Sequence, residues 1–427
     1  MVLALAALPL PYLLRRPRVG LWYALVFIPL AVVVSPQPDQ GLGESTPRQM
    51  YYWAAGLFIV LLPVGLGVVR RLRPFGWSRL KRAGIPTSLV ALVGISLAAC
   101  VQGLRLGSPL SYVLRQFYGI LLFCVGFVAT LLFVGGRSEV RRVLRQLRWL
   151  VLALSAYTII LYSQEEGSPG FFKGNISLFS ATLAVYCAGE FLCARGARRR
   201  MGWAALALLF LVHPILFVSR GAVGLAGITV LVGLALRIRS RALRYFMVVG
   251  VFAFFVASIA LGLYAGLSQS LEQYGLAGRL VPADVLSDPS ALGRISQFDA
   301  ALDVVRQHPL LGLGLGSTLT WFDPTRGEYA SAALVDNGWA YILSKMGLLG
   351  VAAFLWFVVS VLRRFGWPGP DGLRLGLFLI ALFQLLCLMV GPIMIYFVYA
   401  IWAGASWGLL YQSRAVSCLA DGMEIEK

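Results

Sequence analysis

Apolar runs of about 17–25 residues recur along this chain of 427 residues, and each is long enough to cross a bilayer as an α-helix. Hydrophobic residues make up 59% of the chain and charged residues only 13%, which is about half the charged share of a soluble domain. A membrane β-barrel would show short alternating segments instead. The pattern predicts an all-α polytopic membrane protein whose single integral membrane domain covers residues 1–427.

The apolar runs predict 12 or 13 transmembrane helices, depending on whether the short first run crosses the membrane. The predicted spans cover about residues 2–14, 19–35, 50–69, 84–103, 112–134, 149–163, 176–193, 202–218, 222–236, 245–267, 335–361, 373–390 and 394–412.

Positive charge is concentrated in short clusters between these spans. The formal net charge is +19, a value that first suggests nucleic-acid binding. The basic clusters near residues 15–18, 70–82, 137–148, 195–200, 237–244 and 363–364 instead follow the positive-inside rule for cytoplasmic loops. The same loops attract anionic lipid headgroups. We therefore predict membrane lipid, and no nucleic acid, as a partner.

The long polar stretch at residues 268–334 interrupts the apolar pattern between the tenth and eleventh predicted spans. Within it, Ile295, Phe298, Leu302 and Val305 recur at spacings of three and four, which is typical of an amphipathic helix. We predict this helix over 294–307, lying on the membrane surface and ended by His308-Pro309. The glycine-rich residues 312–316 predict a flexible turn. The stretch indicates a polar lid over a site outside the cytoplasm.

Arginines at the outer ends of spans are candidates for binding an anion. Arg220 lies between two apolar spans, where an arginine can simply extend to lipid phosphate. However, it lies on the side where loops are otherwise poor in cations, and a boundary arginine is a functional hypothesis by default. Arg294 begins the predicted loop helix, and its planar donors suit diphosphate oxygens. Arg115 and Lys173 are further candidates, and four converging cations would form an anion site.

Asp336-Asn337 lies where the eleventh span begins. One interpretation is a helix N-cap, for which both residue types are preferred. The other is a general base, since a carboxylate at a membrane–water boundary can have a raised pKa. The chain has only two asparagines, Asn175 and Asn337, and both lie at outer span entrances beside the candidate residues.

Metal and nucleotide sites are not indicated by the sequence. His213 and His308 lie far apart, no Asp-X-Asp motif occurs, and no Gly-Lys-Ser/Thr follows the glycines at 312–316. We predict neither a metal nor a cofactor.

Several short motifs, in this order and spacing, resemble the superfamily of O-antigen ligases and O-antigen or exopolysaccharide repeat-unit polymerases. They run from Phe172 to Gly350, and each alone is weak. The motifs are Phe172-Lys-Gly-Asn175, Ser219-Arg-Gly221, Gly293-Arg294, Asp303-Val-Val-Arg-Gln-His-Pro-Leu-Leu-Gly-Leu-Gly314, Asp336-Asn-Gly-Trp-Ala-Tyr341 and Gly347-Leu-Leu-Gly350.

The resemblance implies a metal-independent, inverting glycosyltransferase with a GT-C-like fold in the bacterial inner membrane, its active site facing the periplasm. The donor would be a glycan on undecaprenyl diphosphate and the acceptor another glycan, and a chain-length regulator is a candidate further partner. Residues matching Arg220 and Arg294 bind the diphosphate in this family, and one matching Asp336 activates the acceptor hydroxyl. Arg115, Lys173, Asn175 and Asn337 are then candidate substrate-binding residues.

Three alternatives remain at the level of sequence. Ligases place His before the asparagine, whereas Asp336 here resembles the polymerases; a ligase would transfer the glycan to lipid A core. A transporter or flippase would place polar residues in mid-membrane, where this chain has Lys345 and Gln384. A structural scaffold of the cell envelope would not need Arg220 or Arg294.

Overall fold

The fold is seen in a computed structural model that describes nine stretches and five shorter pieces of the chain. They comprise residues 12, 15–16, 19–21, 23–25, 62–72, 84–134, 136–164, 170–216, 220–237, 289–323, 327–366, 371–389, 391 and 397–423. The predicted tenth span at 245–267, nearly all of the first at 2–14, and residues 268–288 of the polar stretch lie outside them.

Helices dominate these residues, with one small hairpin between the seventh and eighth helices. The elements are α1 (Thr87–Arg105), α2 (Leu110–Phe133), α3 (Arg137–Gln164), α4 (Gly170–Cys193), α5 (Ala197–Leu216), α6 (Arg220–Arg237), α7 (Pro289–Gln307), β1 (Leu319–Asp323), β2 (Glu328–Ala332), α8 (Gly338–Phe365), α9 (Gly372–Cys387) and α10 (Phe397–Met423). Pro86 and Pro109 immediately precede α1 and α2, where proline is compatible with a helix start.

Six of the described helices are long and apolar enough to cross a membrane, and they lie in α1 to α5 and α8. The shorter helices Gly221–Arg237 and Gly372–Cys387 are also apolar. The prediction of an all-α, multi-pass membrane protein is thereby confirmed. The total of 12 or 13 spans stays a prediction. The basic residues 137–148, predicted as a loop, instead form the first turns of α3.

Aromatic rings fill the interior where α2, α8 and α10 meet. Phe357 packs edge-on against Phe123 and Phe127, with ring centroids 5.5 and 5.2 Å apart, and Phe127 contacts Tyr411 at 5.6 Å. Gly404 of α10 allows close packing here, because a Cβ on it would lie 1.9 Å from the carbonyl oxygen of Phe123. These contacts hold α2 and α8 in fixed positions.

The helix ends divide into two groups, which we call the basic end and the loop end. At the basic end, Arg137 forms an ion pair of 2.5 Å with Asp371, and Arg364 donates a hydrogen bond to the Tyr411 hydroxyl at 3.3 Å. At the loop end, the amide of Gly338 donates to the carbonyl of Leu388 at 2.7 Å. Helix α7 and the hairpin lie at the loop end, so this described part of the polar stretch lies opposite the basic residues at the start of α3 and the end of α8.

Residues 308–317, the glycine segment, pack into the loop end of the bundle. The amide of Leu313 donates to the Ser344 carbonyl at 2.8 Å, and that of Leu315 donates to the Ala99 carbonyl at 2.9 Å. Helix α8 is broken at Gly347, whose φ is 60°, and the amide of Leu348 then donates to the Pro309 carbonyl. The segment is a turn, as predicted, but it does not behave as a free flexible linker, because its backbone is hydrogen-bonded to α1 and α8.

Two glycines make this close packing feasible. A Cβ on Gly314, where φ is +81°, would lie 2.1 Å from the amide nitrogen of Gly103, and a Cβ on Gly103 would lie 1.9 Å from the carbonyl oxygen of Leu315. No side chain larger than hydrogen fits at either position without displacing the segment.

We expect Gly103→Ala to destabilise the protein by about 1–3 kcal/mol, because the new methyl group overpacks the contact with Leu315. Gly94→Ala on the same helix is the matched control, because a Cβ there meets nothing within 4 Å. The difference in transition temperature is measured by heating each variant in detergent and following the loss of monodisperse protein. Equal transition temperatures for the two variants would contradict the described packing.

Candidate active site

The N-terminus of α8 is the centre of the polar residues at the loop end. Asn337 is its N-cap: the side-chain oxygen accepts hydrogen bonds from the amides of Trp339 at 3.0 Å and Ala340 at 3.1 Å. The prediction of a helix N-cap at Asp336-Asn337 is therefore confirmed, and Asn337 is the residue of the pair that caps α8. Asp336 precedes the cap and is exposed.

Asn337 also fastens helix α7 to α8. Its side-chain Nδ2 donates to the carbonyl of Arg294 at 3.4 Å, and its backbone amide donates to Oε1 of Gln297 at 3.2 Å. Gln297 is only 4% exposed, so its side-chain amide accepts this hydrogen bond inside the protein. These bonds hold the backbone of Arg294 against Asn337, the residue that follows Asp336, although Arg294 and Asp336 are 42 positions apart in sequence.

The guanidinium of Arg294 retains unused hydrogen-bonding capacity. Arg294 is half-buried, and its Nε is buried with no hydrogen-bond partner among the residues that the structure describes. A buried donor without a partner is costly unless something fills the position. Within the same part of the chain, no hydrogen bond or ion pair holds the carboxylate of Asp336. The exposed carboxylate is thus open to a ligand, whereas this Nε is enclosed by protein.

Arg115 is connected to the residues that lead into α8 through its neighbour Gln116. Its neighbour Gln116 is 1% exposed, donates to the Ala333 carbonyl at 2.8 Å and accepts from the amide of Gly316 at 2.7 Å. Ala333 and Asn337 are four residues apart, which limits their separation to about 14 Å. The backbones of Arg115 and Arg294 therefore both lie near the short segment that carries Asp336.

The remaining predicted cations are placed only by their backbones. Arg220 begins α6 at the loop end, because α5 runs from the basic cluster at its start to that end. Lys173 and Asn175 lie in the first turns of α4. The side chains of these three residues lie outside the described part of the structure. Their convergence with Arg294 stays a prediction.

Lys345 and Gln384 are the polar residues on which the transporter alternative was based. Both form hydrogen bonds with other residues inside the protein. Lys345 is 0% exposed, and its Nζ donates to the carbonyl of Ser317 at 2.6 Å and to its hydroxyl at 3.2 Å. Gln384 donates to the Tyr399 hydroxyl at 3.4 Å. Lys345 therefore holds the end of the glycine segment, and neither contact indicates a transport path.

The predicted loop helix is confirmed as α7, which begins five residues earlier than expected and ends at Gln307 before His308-Pro309. Its buried face differs from the prediction, because Ala301 is fully buried whereas Leu302 is 38% exposed. The helix packs on α8 and on β1. Two sides of α7 are thus covered by other parts of the protein. That the helix lies on a membrane surface stays a prediction.

Gln116, Gln297 and the hairpin were missed by the sequence interpretation. A glutamine within an apolar span and another on the inner side of α7 were the available signals for buried polar contacts. The hairpin had a clearer signal: alternation in Leu-Thr-Trp-Phe-Asp and Glu-Tyr-Ala-Ser-Ala around a Pro-Thr-Arg-Gly turn.

Comparison with known proteins bears on the same region. Residues 191–355 match a protein-family model described as O-Antigen ligase. The match supports the predicted resemblance of this region to the O-antigen ligase and polymerase superfamily. The matched residues run from the end of α4 through α7, the hairpin and most of α8, and so contain Arg220, Arg294 and Asp336. A search among curated proteins found no match. The superfamily assignment supports a membrane glycosyltransferase of the ligase or polymerase type.

Proposed function

We propose that this protein is a periplasmic-face polymerase that transfers a growing glycan from undecaprenyl diphosphate to an acceptor glycan. The observation that carries the proposal is the double contact of Asn337, which caps α8 and bonds the Arg294 carbonyl. This contact supports the proposal because it joins the backbone of Arg294, a cation, to the residue next to the exposed carboxylate of Asp336. Proton removal and leaving-group stabilisation need this pair of groups.

The reaction we infer is a single inverting displacement. The carboxylate of Asp336 accepts the proton of an acceptor hydroxyl as that oxygen attacks the anomeric carbon of the donor sugar. The bond from this carbon to the phosphate oxygen breaks on the opposite face, and undecaprenyl diphosphate leaves with the electron pair. Arg294 and Arg220 stabilise the negative charge that develops on the diphosphate.

The chemistry of the donor explains why arginines can suffice for activation. A lipid diphosphate is already a good leaving group, so no nucleotide is needed outside the cytoplasm. A guanidinium stays protonated over the whole physiological range and offers five donors in a plane. Transfer without a metal remains a prediction of this scheme.

Asp336 favours the polymerase over the ligase. The resemblance places His before the asparagine in ligases, whereas this chain has a carboxylate there. Both reactions share the donor and differ in the acceptor, so the acceptor supplied in an assay distinguishes them.

We expect the purified protein in lipid nanodiscs to lengthen the lipid-linked repeat unit of its host when this is the sole substrate, with a chelator present. Gel separation of the products should give a ladder of increasing repeat number. Product that appears only after lipid A core is added would identify a ligase instead. Loss of all product on chelation would exclude the metal-independent scheme.

A further inference from the structure

The hairpin presents an exposed aromatic and hydroxyl face beside the candidate active site. Phe322 and Tyr329 are cross-strand partners, and their rings meet edge-on with centroids 5.6 Å apart. Phe322 is 45% exposed and Tyr329 is 76% exposed. On the same face, the hydroxyls of Thr320 and Ser331 are exposed and lie 2.6 Å apart. We call these four residues the hairpin face.

The other face of the hairpin accounts for its folding. Leu319 is 1% exposed, and Trp321 packs against the hydrophobic core. The two faces thus alternate as a half-buried strand pair requires. The aromatic rings of the hairpin face are therefore not needed for packing, and large exposed aromatic side chains commonly mark binding surfaces.

A short connection joins the hairpin face to the candidate site. The hydroxyl of Ser296, two residues after Arg294 in α7, donates to the carbonyl of Phe322 at 2.5 Å. Strand β1 packs along α7, which in turn is bonded to Asn337. A chain-like molecule that reaches Asp336 can therefore continue over this face.

We infer that the hairpin face binds sugar units of the glycan, as an extended subsite of the site proposed above. A sugar ring has apolar C–H faces and a rim of hydroxyls, which complement exposed aromatic rings flanked by hydroxyl groups. This inference rests on the proposed function for the identity of the glycan, although sugar binding itself requires no transfer.

The charge of the hairpin favours a glycan over a bilayer surface. Aromatic faces that lie in a membrane interface are usually bordered by Lys and Arg. Here the turn, residues 323–328, has the sequence Asp-Pro-Thr-Arg-Gly-Glu, with two acids and one base. The exposed hydroxyl pair also has ready partners on a sugar.

The test measures glycan binding separately from transfer. The probe is the oligosaccharide released by mild acid from the host's lipid-linked repeat unit, and its affinity is measured by ligand-observed NMR with protein in nanodiscs. We expect Tyr329→Ala to raise its Kd about tenfold, the usual effect of truncating an aromatic anchor. Tyr329→Phe, which keeps the ring, should bind nearly as the unmodified protein does.

Transfer kinetics give a second readout. Tyr329→Ala should raise the KM for the acceptor and leave kcat nearly unchanged, because the residue lies outside the reacting groups. If Tyr329→Ala binds the oligosaccharide more weakly but the unmodified protein elongates no glycan, this inference holds and the proposed function fails. Unchanged binding and KM would overturn the inference, as would a Tyr329→Ala defect confined to bilayer insertion, which would assign the face to lipid.

Discussion

Replacing Arg294 with alanine is expected to lower the rate of glycan transfer by about 10²–10³-fold, the usual cost of removing one donor that stabilises an anionic leaving group. The loss should appear in kcat, because the charge on the diphosphate develops in the transition state. The carbonyl of Arg294 that accepts from Asn337 belongs to the backbone and is kept in the variant. Rates are measured with lipid-linked repeat units in nanodiscs.

Arg306→Ala is the matched control for this experiment. Arg306 lies on the same helix, is 78% exposed in its side chain and forms only a surface ion pair with Asp303. Such pairs contribute little to stability. Comparable losses in both variants would show that net charge on α7, and not the position of Arg294, governs transfer. Wild-type polymer from Arg294→Ala would remove this residue from the site.

Asp336→Asn should reduce transfer by about 10²–10⁴-fold, because an amide cannot accept the acceptor's proton. The structure sharpens this prediction. Helix capping belongs to Asn337, so the substitution of Asp336 leaves the cap bonds to Trp339 and Ala340 in place. A loss of activity then reports on the carboxylate and not on the start of α8. Single-turnover transfer, compared at equal amounts of folded protein, is the measurement.

Asp303→Asn provides the corresponding control, since its side chain is 63% exposed on α7 and lies away from the cap. It should transfer glycan at the normal rate. If Asp336→Asn also retains full activity, another group accepts the proton and the inferred mechanism is wrong at that step.

The spans and the loop helix could be predicted because their patterns are local. Apolar runs identify helices by length, and the spacing of Phe298 and Val305 identifies α7 without knowledge of its neighbours. Arg294 and Asp336 became candidates from their positions at a helix start and a span entrance, and the family-like motifs then suggested their roles. The sequence could not reveal that Asn337 is what joins them, because that contact depends on how α7 docks on α8.

The parts that escaped prediction depend on packing between distant residues. Glycines at 312–316 are compatible with a mobile turn or with close packing, and only the approach of Gly314 to Gly103 distinguishes the two. Likewise, nothing near Lys345 in sequence indicates that its amine bonds the Ser317 carbonyl. Local propensity does not determine which tertiary partner satisfies a buried polar group.

The glycine segment has a mechanical consequence. Its backbone is bonded to Ala99 in α1 and Ser344 in α8, and it is continuous with α7 on one side and the hairpin on the other. A shift of those two helices relative to each other would thus be passed on to the loop end, where Asp336 lies. We expect catalysis to respond to bilayer thickness and lateral pressure, even though the reacting groups themselves face water.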